Sequence, residues 1–133
     1  MDTPAQLQRF LGTWRLLPER SRYASGQPPQ RGLYRLEAAD GGAVRFHVDY
    51  VDGSGESKQL EYTVPFQDGE GAGACLVDAS TLDTTVRESG RVVAHARRVL
   101  SADGRTMTIT QSGTAPDGQP FANVSAYARE DTP

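Results

Sequence analysis

The chain has 133 residues, and its 14 Lys plus Arg against 17 Asp plus Glu give a formal charge of −3, which excludes a strongly basic nucleic-acid-binding protein. With 37% hydrophobic and 23% charged residues the composition is globular rather than disordered, and the length predicts one domain over 1–133. Cys75 is the sole cysteine, so an intrachain disulfide is excluded, and no window approaches the ~18 apolar residues of a membrane span.

Met1 to Leu11 has neither a basic n-region nor an apolar h-region, which predicts a soluble, cytoplasmic protein. Thr3 to Phe10 is the helical candidate: Thr3 can cap it and Pro4 can take its first position, for about two turns. Gly12 to Leu17 reads as the first strand. Pro18 to Gln30, with Pro18, Gly26, Pro28 and Pro29, lacks periodicity and is expected to wrap across one end of the fold. Beyond it the chain alternates between turn signals. Asp-Gly tolerates the positive φ of tight hairpins, and it occurs at Asp40-Gly41, Asp52-Gly53, Asp68-Gly69, Asp103-Gly104 and Asp117-Gly118, with Ser89-Gly90 as a further turn.

Arg31 to Glu37 reads as a strand. Val44, Phe46, Val48 and Tyr50 share one face of the next, and Leu60, Tyr62, Val64 and Phe66 one face of its successor. Cys75 to Asp78 is a weak strand, and Leu82, Thr84 and Val86 mark another. Arg91 to Leu100, Arg105 to Gln111 and Phe121 to Ala128 complete the series. A meander of this kind must protect its edges by closing or by folding into two packed sheets. The prediction is an all-β fold, a closed antiparallel up-and-down β-barrel of about 8–10 strands with a short N-terminal helix.

Phe10-Leu11-Gly12-Thr13-Trp14-Arg15-Leu16 resembles the F-x-G-T-W-K-L opening of intracellular fatty-acid-binding proteins and the broader G-x-W signature of lipocalins. The run Gly12-Thr13-Trp14, Leu16, Pro18, Ser21, Tyr23, Gly26 and Pro29, with its Asp-Gly hairpins and the closing Gln119-Pro120-Phe121-Ala122-Asn123-Val124, resembles small bacterial lipocalin-like proteins of unassigned function, within the calycin superfamily. The resemblance implies a single lipocalin-like barrel whose Trp14 plugs one end beneath an Arg of the last strand. Gly12, Trp14 and Arg129 then have structural roles, with Arg15, Arg97 and Arg98 as rival partners of the indole. The R-x-Y that binds the ligand carboxylate in fatty-acid-binding proteins is altered: with its Tyr aligned on Tyr127, Ser125 stands where the Arg would be. Their helix-turn-helix lid has no counterpart in the proline-containing Pro18 to Gln30.

The chemistry available to such a barrel lies in its charged and phenolic residues. One face of Arg91 to Leu100 carries Val93, His95, Arg97 and Val99, and the other Val92, Ala94, Ala96, Arg98 and Leu100. If the second face points inward, Ala94 and Ala96 leave room for a guest and Arg98 becomes a buried cation in need of an acid, a hydroxyl or an anionic ligand. If the first does, His95 and Arg97 line the interior. The third alternative is two solvated arginines flanking a bulge. His47 shares the polar face of Arg45 and Asp49 and reads as a surface residue. No spacing of His and Cys suits a metal, and Asp49 to Glu56 fails as a calcium loop because Val51 and Gly53 supply no side-chain ligand, so neither metal nor cofactor is expected. Cys75, with no evident cationic neighbour, reads as a structural thiol.

Tyr34, Tyr50, Tyr62 and Tyr127 with Asn123 and Ser125 describe a partly polar cavity, or else phenols reaching water at its rim. Alternation places a pocket among Phe46, Tyr50, Tyr62, Phe66, Met107 and Tyr127, with Arg98 for charge and Ser125 with Tyr127 to orient a polar end. The leading function is noncatalytic binding of a small, mostly apolar, hydrophobic or amphipathic molecule with a polar end. The alternatives are a small barrel enzyme such as an isomerase or cyclase, or a packed barrel acting through its surface. A homodimer is left open.

Overall fold

In the computed structural model, which describes residues 5–23, 29–114 and 118–130, ten strands run in chain order. They are β1 (Gly12–Leu16), β2 (Arg22–Tyr23), β3 (Arg31–Ala38), β4 (Val44–Val51), β5 (Ser57–Val64), β6 (Gly71–Asp78), β7 (Thr81–Glu88), β8 (Arg91–Leu100), β9 (Thr106–Thr114) and β10 (Pro120–Arg129). The sheet order is β5-β4-β3-β1-β10-β9-β8-β7-β6, antiparallel throughout, with β2 added to β10.

Alternating apolar residues in the strands become the inner face of a strongly curled sheet. Trp14 pairs in register with Tyr34 and Arg129, Leu36 with Phe46, and Phe46 with Tyr62. Ser89 (φ 53°) and Gly90 (φ 77°) form a two-residue turn between β7 and β8, where positive φ at both central positions matches the twist of the flanking strands. Close by, β8 bulges: Val86 pairs with Ala94 but Arg87 pairs with Val92, so alternation breaks at Val93 and Val92 is exposed.

One end of the curl is filled. Leu7, Phe10, Trp14, Leu36, Val44, Leu82 and Met107 are all fully buried there, each contributing about 1.5–3 kcal/mol of apolar burial. Trp14 Nε1 donates to the Phe10 carbonyl at 3.0 Å, and the Arg129 guanidinium lies 4.2 Å over the indole ring. Arg129 also donates to the carbonyls of Leu11 (2.8 Å), Gly104 (3.2 Å) and Arg9, binding the N-terminal segment and the β8–β9 turn to the last strand. At Gly12, with φ +118°, a Cβ would sit 3.1 Å from Arg129 Nη1, so the glycine gives the guanidinium its path to the indole.

Several expectations are corrected. The N-terminal helix is a 3₁₀ segment over Ala5–Arg9; Thr3 and Pro4 lie outside the described residues. Its i to i+3 bonds, Phe10 N to Leu7 O and Leu11 N to Gln8 O, bring Leu7 and Phe10 onto one face and into the plug. The barrel is not closed: among the described residues no ladder joins β5 to β6, and the sheet is a half-barrel. Pro65, which has no N–H, ends β5, and just beyond that strand its carbonyl accepts from Ala74 N (2.9 Å) beside a Phe66–Ala74 bridge while Gln67 Nε2 donates to the Ala72 carbonyl (2.8 Å). As an edge strand β5 is exposed up to Val64, with Leu60 at 49% and Tyr62 at 39%, and Lys58 and Glu61 discourage stray pairing there. The weak strand at Cys75 is part of the longer β6. Within the aperiodic Pro18 to Gln30 the two-residue β2 pairs with β10, Tyr23 opposite Asn123.

Candidate functional site

Towards the other end the interior is hollow. A cavity of about 250 Å³ lies between β1, β3, β4 and β5 on one side and β8, β9 and β10 on the other, walled by Leu16, Tyr34, Val48, Tyr50, Leu60, Ile109, Ser125 and Tyr127, with Tyr23 and Pro29 from the segment beside β10. A second chamber of about 250 Å³ lies along the open seam, walled by Val64, Ala72, Thr84, Val86, Ala94, Ala96 and Phe121. Tyr62, Arg98 and Gln111 line both.

Arg98 is the centre of this arrangement. The apolar face of β8 points inward, so Arg98 is buried to 2% exposure while Ala94 and Ala96 leave space beside it. Its Nε donates to Tyr34 Oη at 2.9 Å and Nη1 to Thr84 Oγ1 at 3.0 Å, and its guanidinium carbon stands 4.7 Å from the Phe46 ring centroid and 5.8 Å from that of Tyr34. Among the described residues no ion pair involves Arg98. A full positive charge is thus held away from water by neutral hydroxyls and ring faces alone, where an anion would complete its coordination.

The aromatic residues form one connected stack. Tyr34 packs on Phe46 (5.8 Å between centroids) and Tyr127 (5.4 Å), and Phe46 on Tyr62 (4.9 Å). Burial pushes the Tyr34 hydroxyl well above the usual phenol range despite the opposing charge of Arg98, and burial with the neighbouring Tyr23 does the same at Tyr127. Both phenols are therefore held protonated. Tyr23 Oη and Ser125 Oγ share a hydrogen bond of 2.8 Å, tying β2 to the cavity wall.

Of the residues the alternation groups as a pocket, Tyr50, Tyr62, Arg98, Ser125 and Tyr127 line the first cavity. Phe46 and Met107 face inward but are fully buried one layer deeper, Phe46 as the floor under Arg98. Phe66 lies beyond the end of β5, packed against the core and lining neither chamber. Tyr23, Thr84 and Gln111 were not legible as site residues, and Tyr34 was legible only as one of a set. Thr84 shares its face with Leu82 and Val86, and Gln111 with Met107 and Ile109, so both could be found by extending the period-two count; Tyr23 carries no such signal.

On the other face of the sheet several charged residues pair with one another. Arg97 makes a two-pronged bond to Asp83, Nε to Oδ1 and Nη2 to Oδ2 at 2.8 Å each, with His95 Nε2 3.2 Å from Oδ2. The bond from Arg97 holds the Asp83 carboxyl below the usual carboxylate range. Arg97 and Arg98 therefore divide, one paired outside and one unpaired inside, which overturns the reading of two solvated arginines. His47 lies between Glu37 (2.6 Å) and Glu61 (3.3 Å). Cys75 is exposed on β6 rather than packed away. Among the described residues no group of His, Cys, Asp and Glu is arranged to hold a metal, and no helix is long and apolar enough to cross a membrane.

No family model and no curated protein sequence matches the chain. Solved structures do. The wild-type fluorescent protein UnaG superposes with a TM-score of 0.60 at 14% identity, covering 93% of this chain and 99% of its own. The zebrafish ileal bile-acid-binding protein, complexed with cholic acid, gives 0.53 at 10% identity over 92% of this chain and 99% of its own. A bovine odorant-binding protein in complex with a selenium-containing odorant gives 0.54 at 13% identity over 100% of this chain and 78% of its own. The fold of the chain is of the calycin type.

Proposed function

We propose that the protein binds a small, mostly apolar molecule bearing an anionic or acceptor-rich polar group inside the half-barrel, and that it does so without catalysis. The observation that carries this reading is Arg98, buried to 2% exposure in a cavity wall with only neutral oxygens as partners. Keeping a cation there costs stability, and a ligand that supplies the missing negative charge gives the cost a function. Tyr34 and Tyr127, held protonated by burial, are suited to donating hydrogen bonds rather than accepting protons, which favours binding over chemistry. Leu16, Val48, Leu60 and Ile109 offer the guest apolar contact, Tyr50 and Tyr62 flat ring surface, and Ser125 a hydroxyl. Gly12, Trp14 and Arg129 hold the filled end. Two of the similar structures point the same way, one holding cholic acid and the other an odorant.

The test uses Nile red, a neutral polarity-sensitive dye, displaced in turn by decanoate and decylammonium. These ligands share a chain length and differ in the sign of the head group. Decanoate should displace the dye at the lower concentration; the reverse order would refute the assignment of Arg98 as the recognition group.

A further inference from the structure

We infer that the ligand is two-armed, with its anionic group in the middle of the molecule and an apolar arm on each side. The inference rests on the proposed binding function and adds the shape of the guest. Arg98 stands at the partition between the chambers rather than at the end of either, and the other residues common to both, Tyr62 and Gln111, are also polar. Away from Arg98 each chamber carries an apolar stretch of wall, Leu16, Val48 and Ile109 in one and Val64, Ala94 and Phe121 in the other, alongside polar residues, Tyr23 and Ser125 in the first and Thr84, Thr85, His95 and Ser112 in the second. Each chamber measures about 250 Å³.

A guest with a terminal acid could place the acid on Arg98 and its chain in one chamber, leaving the second filled only with water. Alternatively it could thread both chambers, and its acid would then lie away from the guanidinium. A molecule with an internal acid satisfies the charge and fills both spaces at once. The small side chains of Ala72, Ala94 and Ala96 provide the room for the second arm.

Dodecanoate and 2-butyloctanoate separate the cases, because they are isomers of equal charge and differ only in whether the carboxylate is terminal or central. Competition against Nile red should rank 2-butyloctanoate about tenfold tighter, since a second arm removes about two more methylenes from water. Native mass spectrometry should find one molecule per chain. Ala94→Leu, which narrows the second chamber, should erase the advantage of the branched isomer; Ala72→Leu makes the same test from β6, two strands away, should the first variant not fold. Equal affinity, tighter binding of the linear isomer, or two molecules bound per chain would overturn the two-armed guest and leave the proposed binding function standing. Failure of both acids to displace a dye that is taken up would overturn both.

Discussion

Arg98→Met tests whether Arg98 is kept for binding or for folding. In the ligand-free protein the substitution removes two hydrogen bonds, from Nε to Tyr34 and from Nη1 to Thr84, together with the contact over Phe46. Thr84 is only partly buried, so water can replace its donor, whereas the buried Tyr34 hydroxyl loses a partner at a cost of about 1–3 kcal/mol. The cation–π contact adds about 0.5–2 kcal/mol. Against these losses stands the desolvation of a guanidinium with no counter-charge, several kcal/mol, which the substitution relieves while Met refills the space with a flexible apolar chain. The opposing effects nearly cancel and leave the variant within about 2 kcal/mol of the parent. For a chain of this length that is a change in Tm of no more than about 8 °C, at roughly 4 °C per kcal/mol. Thermal unfolding of protein stripped of ligand, followed by far-ultraviolet circular dichroism, measures it, and decanoate titration of the same samples should show binding weakened. A fall in stability of more than about 2 kcal/mol would mean that Arg98 serves the fold, and the argument from an uncompensated charge would fail.

Arg129→Ala should act differently, destabilising the protein by about 2–4 kcal/mol, because it removes both the stacking on Trp14 and charged donors to the carbonyls of Leu11 and Gly104. Urea unfolding monitored by Trp14 fluorescence reads the change, and an unaltered midpoint would count against the plug. Asp83→Asn should flatten the acid side of the stability curve. The Asp83 carboxyl is depressed chiefly by its bond from Arg97, so the stability it contributes is complete above the unfolded Asp value near ~4 and is lost as pH falls through the folded value. The other depressed carboxylates, Asp52, Asp78 and Asp103, leave part of the acid limb in place. Identical acid limbs in the two proteins would show that the Arg97 bond adds nothing.

Period-two alternation carried most of what the sequence could reveal, and its failures share a physical origin. Alternation decides which residues share a face, and on β8, where it left the inward face open, that face is the one with Ala94, Ala96 and Arg98. It says nothing about height along the half-barrel. Phe46 and Tyr50 share a face of β4, yet Phe46 is sealed beneath Arg98 while Tyr50 lines the cavity. Height follows from the register between strands, set by loops and partners distant in the chain. Closure depends on whether β5 pairs with β6, which alternation within either strand cannot show; Pro65, lacking an N–H, marks only the end of β5, inside an alternation that runs on to Phe66. β2 is too short for any period, so Tyr23 reached the cavity unannounced through two pairings with β10. The boundary between filled and hollow ends is just as local: on β1, Trp14 stands opposite Arg129, and Leu16, the next residue on the same face, stands opposite Tyr127. Two residues of strand, roughly 7 Å, therefore separate the plug from the chamber, a distance that register determines and composition does not.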